Sequence, residues 1–272
     1  MSLLFRKYPL GKTRTVLVPN QWNGSVQQYY HFLLGYLAPV FAWSRKNPGK
    51  AFAVRDCGPM NRWFELLRPQ CDVEVMTVGD VLHVLAGQLQ PTKILRGMDF
   101  PESFVAPDIR EFADTTRHLA AGRFESRLDE RAIIVSDRAS SDEFFSTPAA
   151  EWPESGSQKR SVPNLRDVVL SWNRSDVNFM DAATVAIYEQ ILAHSSARIL
   201  IGQHGAGLTN MIWMPPGSHI IEILPPMPAD AQEIFAKLAR AMGMHYSVVE
   251  QASVHAPVDA DLLTQALDRI RD

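Results

Sequence analysis

The sequence is poor in cysteine. Only two occur in 272 residues, Cys57 and Cys71, and no Cys or His cluster has the spacing of a zinc site. One possible pair is too little to form a disulfide framework or to indicate an oxidising compartment. We therefore expect two buried thiols in a cytoplasmic protein.

Long apolar runs are also missing. The longest, residues 32–43, is broken by Gly35 and Pro39 and falls well short of the ~18 residues that a membrane-spanning helix needs. The chain reaches Arg6 and Lys7 before the apolar core of a secretion signal could develop. We expect no transmembrane segment, and peripheral attachment to a membrane stays open.

An excess of positive charge is absent as well. The chain has 27 Lys and Arg against 30 Asp and Glu, a net charge of −3. A general attraction to nucleic acid is therefore excluded. The hydrophobic fraction of 46% is enough for a sizeable core, and the length allows one large domain or two smaller ones.

What the sequence does contain is an alternation of short β-rich runs with helix-like stretches. Near-continuous Val, Ile and Leu runs are typical of parallel strands that are covered on both faces. Six such runs span residues 15–18, 51–54, 73–76, 132–135, 198–201 and 219–223. The alternation predicts an α/β fold with helices on both faces of parallel sheets. We place a first unit at residues 1–130 and a second at 131–272.

Helical patterns fill the gaps between these runs. Residues 29–43 are strongly apolar and predict a helix that Pro39 breaks or kinks. Amphipathic helices are predicted at 182–194 and 229–242. A last helix is expected from Asp259, a good N-cap, with apolar spacing that places five side chains on its buried face: Leu262, Leu263, Ala266, Leu267 and Ile270.

The most informative segment follows the run 198–201. The strand ends at Gly202, and a tight turn with Gly205 and Gly207 leads into a helix. Glycines let the backbone approach a ligand closely, and a helix N-terminus offers free N–H groups and positive partial charge. This pattern suits a phosphate, with Glu222 at the next strand accepting hydrogen bonds from a ribose. On glycine spacing alone, a purely structural turn with a structural His204 is an equal alternative.

The wider pattern carries a family resemblance. The residues involved are His204-Gly205-Ala206-Gly207-Leu208-Thr209-Asn210, Pro216-Gly217-Ser218 and Ile221-Glu222-Ile223-Leu224-Pro225. Together they resemble the signature of glycosyltransferase family 61, which includes capsular polysaccharide biosynthesis proteins and eukaryotic xylosyl- and N-acetylglucosaminyltransferases. Further segments agree in the same order: the Tyr-His-aliphatic stretch 29–34, Arg160 with Asn164, Gln190, and residues 235–246.

The resemblance implies a GT-B-like architecture, with two facing Rossmann-like domains and parallel sheets. The first unit would form the acceptor side, the second would bind the nucleotide-sugar, and the last helix would pack back toward the first. It also implies an inverting glycosyltransferase that moves a sugar from a nucleotide-sugar, UDP-linked in relatives, to a glycan or polysaccharide acceptor. The implied donor-binding residues are Arg138, Arg160, Asn164, His204, Gly205, Ala206, Gly207, Thr209, Asn210 and Glu222.

The reaction also needs a base for the acceptor hydroxyl. His31 is one candidate, because the unperturbed pKa of histidine lies near neutrality and the residue is on the predicted first helix. Asp56 is the other, because it directly follows the run 51–54. Either residue can instead be structural, His31 as a core histidine and Asp56 as a turn or cap residue.

Two further features bear on activity. Relatives often carry an aspartate at the position of Gly35 and an acidic residue at that of Leu165, so a non-catalytic nucleotide-sugar-binding protein is the alternative function. The only Asp-x-Asp triplet, at Asp259 and Asp261, starts a predicted helix, where acidic residues are ordinary partners of the helix dipole. We expect no bound metal and no cofactor.

Overall fold

The computed structural model describes residues 15–17, 25–67, 73–76, 106–123, 132–138, 143–151 and 156–270. The chain divides into two compact units, Met1–Ser103 and Phe104–Asp272. This division comes earlier than the boundary expected at residue 130, which itself lies outside the described residues. The reason is the helix Ala106–Ala121, which packs within the second unit: Trp213 Nε1 donates to Thr116 Oγ1 at 3.0 Å.

The first unit contains a parallel three-stranded sheet. Its strands are β1 (Thr15–Leu17), β2 (Phe52–Arg55) and β3 (Val73–Met76), in the order β1-β2-β3. All three fall within or next to predicted runs. The helical segments described in this unit are Tyr29–Phe32, a π-helical turn Leu33–Leu37, Ala38–Lys46 and the 3₁₀ helix Gly58–Leu66.

A break or a kink was predicted at Pro39, and the break is wrong, because helical structure continues without interruption from Tyr29 to Lys46. Pro39 follows the π-helical turn Leu33–Leu37 and lies in the first turn of Ala38–Lys46. The π-helical turn already departs from the α-helical hydrogen-bond ladder that a proline would interrupt. All five residues of the π-helical turn are buried.

The second unit contains a parallel five-stranded sheet in the order β5-β4-β6-β7-β8. The strands are β4 (Ala132–Ser136), β5 (Val177–Met180), β6 (Ala197–Gln203), β7 (His219–Leu224) and β8 (His245–Glu250). The three inner strands match predicted runs. β5 and β8 are partly exposed edge strands without a continuous apolar run, so the sequence pattern missed β5 and indicated β8 only through the resemblance.

The described helices of the second unit include two that differ from prediction. The helix expected from residue 182 begins only at Ile187, and the one expected over 229–242 is interrupted at Glu233. The helical segments are Ala106–Ala121, Glu143–Ser146, Gly156–Lys159, Leu165–Ser171, Ile187–Ser196, Ala206–Trp213, Ala229–Gln232, Ile234–Met242 and Ala260–Asp268; Glu143–Ser146 and Ala206–Trp213 are 3₁₀ helices.

The last helix packs in the core of the second unit. Leu263 and Leu267 join a cluster with alternate residues of β4, β6 and β7, and with Leu165–Ser171. Asp259 caps the helix as predicted, accepting hydrogen bonds from two backbone N–H groups. The expected burial of Leu262 is wrong: its exposure is 49%, because it is turned about 100° from Leu263 around the helix. The packing of this helix toward the first unit stays a prediction.

The strand order identifies one special position. In chain order the five strands run 2-1-3-4-5, a doubly wound arrangement whose direction of winding reverses between its first and third strands, here β4 and β6. Ligands of such sheets bind at the carboxyl ends of the strands beside this reversal. The α/β fold with parallel, Rossmann-like sheets is therefore confirmed.

Candidate active site at the glycine turn

The glycine-rich turn lies at the reversal point between β4 and β6. Ser136 ends β4 and pairs with Gly202 of β6. A Cβ on Gly207 would lie 2.3 Å from Ser136 Oγ, and one on Gly202 would lie 3.1 Å from Ser136 Cβ. Two of the glycines therefore let the turn pack closely against the neighbouring strand, a use that the sequence reasoning did not assign to them.

Two arginines converge on this turn. Arg138, two residues beyond β4, donates from Nη2 to the His204 carbonyl at 2.6 Å, and Arg160 donates from Nη1 to the same oxygen at 2.9 Å. Arg138 also donates from Nη1 to the Gly156 carbonyl at 3.3 Å. A Cβ on Gly205 would lie 1.8 Å from Arg138 Nη2, so only glycine leaves room for the guanidinium.

The charge of these arginines has no carboxylate partner in the part of the chain that the structure describes: no ion pair joins either side chain to an acid. Burial, reinforced by the positive charge of Arg160, lowers the pKa of Arg138 to about 10. Burial also lowers the pKa of Arg160, and the negative charge of Glu222 opposes that shift. A guanidinium has five N–H donors, so both groups retain donors for an anion such as phosphate.

A hydrogen-bond chain runs beneath the turn. His204 Nδ1 lies 2.5 Å from Glu222 Oε1, and the Tyr246 hydroxyl donates to Glu222 Oε2. Glu222 is 0% exposed, and each of its carboxylate oxygens has a partner inside the fold, whereas its expected contact with a ribose stays a prediction. The His204 ring also packs edge-on against Phe235, with 5.0 Å between the ring centroids. Tyr246 is a member of this site that the sequence reasoning did not identify as functional.

The helix that opens at Ala206 anchors the turn to the unit. Asn210 Oδ1 accepts a hydrogen bond from Gln190 Nε2 at 3.0 Å, which joins it to the helix Ile187–Ser196. Thr209 is 0% exposed, and its hydroxyl has no hydrogen-bond partner among the residues that the structure describes, which is unusual for a buried hydroxyl. The first backbone N–H groups of a helix have no partner within it. Leu208 N already donates to the Gly205 carbonyl at 3.0 Å, so the N–H groups of Ala206 and Gly207 are the candidate donors for a ligand.

Asn164 holds the fold together beside Arg160. Its Nδ2 donates to the Val258 carbonyl and its Oδ1 accepts from the Val258 N–H, both at 2.9 Å. Next to it, Gln203 Nε2 donates to the Gln251 side chain at 2.6 Å and to the Ser161 carbonyl at 3.1 Å. These amides fasten the segment that carries Arg160 to the loop before the last helix, and neither Gln203 nor Gln251 was predicted.

The two candidate bases lie in the first unit. His31 is partly buried on the first helix, with its ring edge-on to Tyr30 at 5.4 Å between centroids. Asp56 directly follows β2, as expected, and its Oδ1 accepts hydrogen bonds from Gly58 N at 2.8 Å and from Asn61 Nδ2 at 2.7 Å. Asp56 thus stabilises the start of the helix Gly58–Leu66. Its role as a base, like that of His31, stays a prediction.

The described residues contain neither a candidate metal cluster nor a helix that could span a membrane. Across the described ranges, no cluster of three or more His, Cys, Asp or Glu side chains could hold a metal ion, and the Asp259 carboxylate caps its helix. Cys57 is buried and free, whereas Cys71 lies outside the described residues. Within that part of the chain, every helix is too short or too polar to cross a bilayer.

Comparison with known proteins identifies the family of the chain. A search of curated proteins finds no significant match. The sequence model of the family described as Glycosyltransferase 61 matches residues 29–221, well over half of the chain. The matched region runs from the first helix into β7 and includes Arg138, Arg160 and the glycine turn. It confirms the resemblance seen in the sequence and supports a glycosyltransferase activity. The chain belongs to glycosyltransferase family 61.

Proposed function

We propose that this protein is an inverting glycosyltransferase that moves a sugar from a UDP-linked donor to a glycan or polysaccharide acceptor. The observation that carries the proposal is the convergence of Arg138 and Arg160 on the His204 carbonyl. Two guanidinium groups that have no carboxylate partner in the described part of the chain lie beside a helix N-terminus at the reversal point of a parallel sheet, and their charge matches that of a diphosphate.

In this proposal, Arg138 and Arg160 bind the diphosphate of the donor, and the backbone N–H groups that follow Gly205 complete the contact. The His204 and Gly156 carbonyls hold the two guanidinium groups in place before the reaction. The arginines therefore need little reorganisation as charge develops on the leaving phosphate. Glu222 acts through His204 and does not bind the ribose directly. Asn164, Thr209 and Asn210 serve by holding the turn and the arginines in place.

The remaining parts of the reaction are assigned to the first unit. We propose that the two units correspond to the two domains of a GT-B transferase, with the acceptor on the side of the first. Inversion is a single displacement, in which the acceptor oxygen attacks the anomeric carbon opposite the leaving diphosphate. His31 is the proposed general base, and Asp56 the second candidate. We further propose a cytoplasmic protein of capsular or related polysaccharide synthesis.

Metal independence is part of the proposal, since the two arginines supply the positive charge that a divalent cation supplies elsewhere. Transfer should therefore proceed at an unchanged rate after dialysis against EDTA. Activity that is lost in EDTA and restored by Mn²⁺ would contradict this point.

The proposed function is tested by binding and turnover together. A thermal-shift screen across nucleotides and nucleotide-sugars should show stabilisation by UDP and by a UDP-sugar. ¹H NMR of the reaction with an acceptor glycan should then show a product with inverted anomeric configuration. Binding without hydrolysis or transfer would favour the alternative, a nucleotide-sugar-binding protein without turnover. Stabilisation by no nucleotide at all would overturn the assignment of the turn.

A further inference from the structure

His204 occupies a special position in the proposed diphosphate site. Its backbone N–H donates to the Ile223 carbonyl of β7 at 2.8 Å, and its own carbonyl accepts from both Arg138 and Arg160. The residue that orients the two guanidinium groups therefore also carries an imidazole. Gly205 follows it directly, so this imidazole belongs to the turn that would bind the leaving group.

The imidazole is held in one orientation. His204 Nδ1 and Glu222 Oε1 lie 2.5 Å apart, and with Glu222 as a carboxylate, which only accepts hydrogen bonds, Nδ1 is the donor of this pair. Phe235 packs against the ring edge and restricts its rotation. Nε2 is the nitrogen left for a ligand, because no described residue hydrogen-bonds it and the side chain keeps 9% exposure.

The groups around the ring orient it for a second acceptor. Glu222, 0% exposed, accepts from His204 and from the Tyr246 hydroxyl, and burial together with the Glu222 charge raises the pKa of Tyr246, so this hydroxyl stays a donor. A phosphate at Nε2 would add an anionic acceptor at the other ring nitrogen, so that both nitrogens act as donors.

We infer that His204, oriented by Glu222 and Tyr246, donates its Nε2–H to the leaving diphosphate. This inference rests on the proposed function. The bond from the anomeric carbon to the β-phosphate oxygen breaks and leaves its electron pair on that oxygen. The acceptor oxygen forms the new bond, and its proton passes to the general base. The imidazolium hydrogen-bonds the charged phosphate oxygen, and Glu222 balances the ring.

The alternative role for His204, base to the acceptor, fits this position less well. An inverting displacement brings the acceptor in opposite the leaving group, so its base belongs on the far side of the sugar. His204 is part of the turn that contacts the leaving side. It is therefore a catalytic residue for departure of the diphosphate, whereas Glu222 and Tyr246 are positioning residues.

The test compares UDP with UMP, which lacks the β-phosphate. Calorimetric titration of the full-length protein should show that His204→Gln weakens UDP binding about 10- to 100-fold and UMP binding less than about threefold. Glu222→Gln should also lower UDP affinity more than UMP affinity. Tyr246→Phe should have the same effect, but a smaller one. Glu233→Gln, which affects only a surface pair with Lys237, is the matched control and should leave both affinities unchanged.

A measurement on the unaltered protein covers variants that fold poorly. In ¹⁵N NMR spectra at neutral pH, UDP should convert the His204 ring to the doubly protonated form, and uridine should not. Two results would overturn the inference while leaving the proposed function in place. One is an Nε2 without a proton in the UDP complex, and the other is an unchanged ratio of UDP affinity to UMP affinity in His204→Gln. If none of UDP, GDP, CDP and ADP binds the wild-type protein, the proposed function and the inference both fail.

Discussion

The two units place polar residues after parallel strands in the same way but use them differently. In the first unit Asp56 follows β2, and one of its oxygens accepts hydrogen bonds from Gly58 and Asn61. In the second unit Arg138 follows β4 and contacts only backbone carbonyls through its guanidinium, with no carboxylate partner among the described residues. A polar residue after a parallel strand therefore satisfies its own turn in one unit, whereas in the other it forms part of the proposed diphosphate site.

This difference indicates which unit is proposed to bind the donor and which is proposed to supply the base. In the second unit, the arginines without a carboxylate partner among the described residues support the proposed binding of an anionic donor. In the first unit, His31 and Asp56 are the proposed candidates for proton transfer, and Asp56 also has a structural role. Variants that alter one unit at a time test this contrast.

Removal of the proposed base should produce the largest effect. In His31→Ala, transfer should fall about 10²- to 10⁴-fold, because general base catalysis contributes factors of that size. UDP affinity should not change, since the proposed donor contacts lie in the other unit. Rates of product formation and calorimetric affinities measured on the same preparation check both points. Full activity in His31→Ala would show that the base is elsewhere.

Acid should weaken the second unit in a defined pH range. His194 is buried on the helix Ile187–Ser196, and burial lowers its pKa from 6.5 to about 4. The unfolded chain therefore binds the proton first, and stability falls as the pH drops from about 6.5 to about 4. The loss should reach about 3 kcal/mol.

Denaturant titrations at several pH values, with hydrogen exchange read separately for peptides of each unit, measure this loss. His194→Leu removes the titrating group, so its stability should depend less on pH over the same range. An equal pH dependence in both proteins would contradict the assignment to His194.

Loss of one guanidinium should weaken donor binding without weakening the fold. Arg138→Met keeps the apolar stem but removes the charge and both carbonyl contacts, so UDP affinity should fall about 10- to 100-fold. The melting temperature should stay within a few degrees, because a buried charge without a carboxylate contributes little to stability. Arg138→Lys should not restore binding, because lysine lacks the planar fork of donors.

Arg166→Met is the control for this variant. Arg166 pairs with Asp137, next to Arg138, but does not contact the turn, so its loss should leave UDP affinity unchanged. Equal losses in the two variants would mean that only the overall charge of the region matters.

The smallest effect is expected at Asp56. Asp56→Ala removes the hydrogen bonds from Gly58 and Asn61 and should reduce stability by about 1–2 kcal/mol, without changing UDP affinity. Asp56→Asn keeps an acceptor oxygen and should be nearly as stable as the wild type. Thermal unfolding and transfer assays on this pair separate the structural role from the chemical role. If Asp56→Asn is as stable as the wild type but loses transfer, Asp56 is the base.

The sequence predicted the inner strands and the glycine turn because their patterns are local. β4, β6 and β7 are continuous aliphatic runs, and the turn is a contiguous motif. β5 was missed because an edge strand is only half-buried and has no such run. The π-helical turn before Pro39 was also missed, because no sequence pattern used here distinguishes a π-helical turn from an α-helix.

The side-chain contacts of the site could not be predicted. Arg138 and Arg160 are separated from His204 by 66 and 44 residues, and only the sheet brings them together. Likewise, Glu222 was expected at a ribose because it lies on the strand after the turn, but the alternation of side chains on β7 and β8 directs it toward Tyr246. Tyr246 lies beyond the matched family region, and the sequence analysis included it only within the segment 235–246 of the resemblance.

The central claim is that the glycine turn and its two arginines bind the donor diphosphate. A crystal structure of the protein with UDP tests it most directly. We expect phosphate oxygens within hydrogen-bond distance of the Arg138 and Arg160 guanidinium groups and of the backbone N–H groups that follow Gly205. A diphosphate bound elsewhere, with these guanidinium groups still contacting only the His204 carbonyl, would contradict the account.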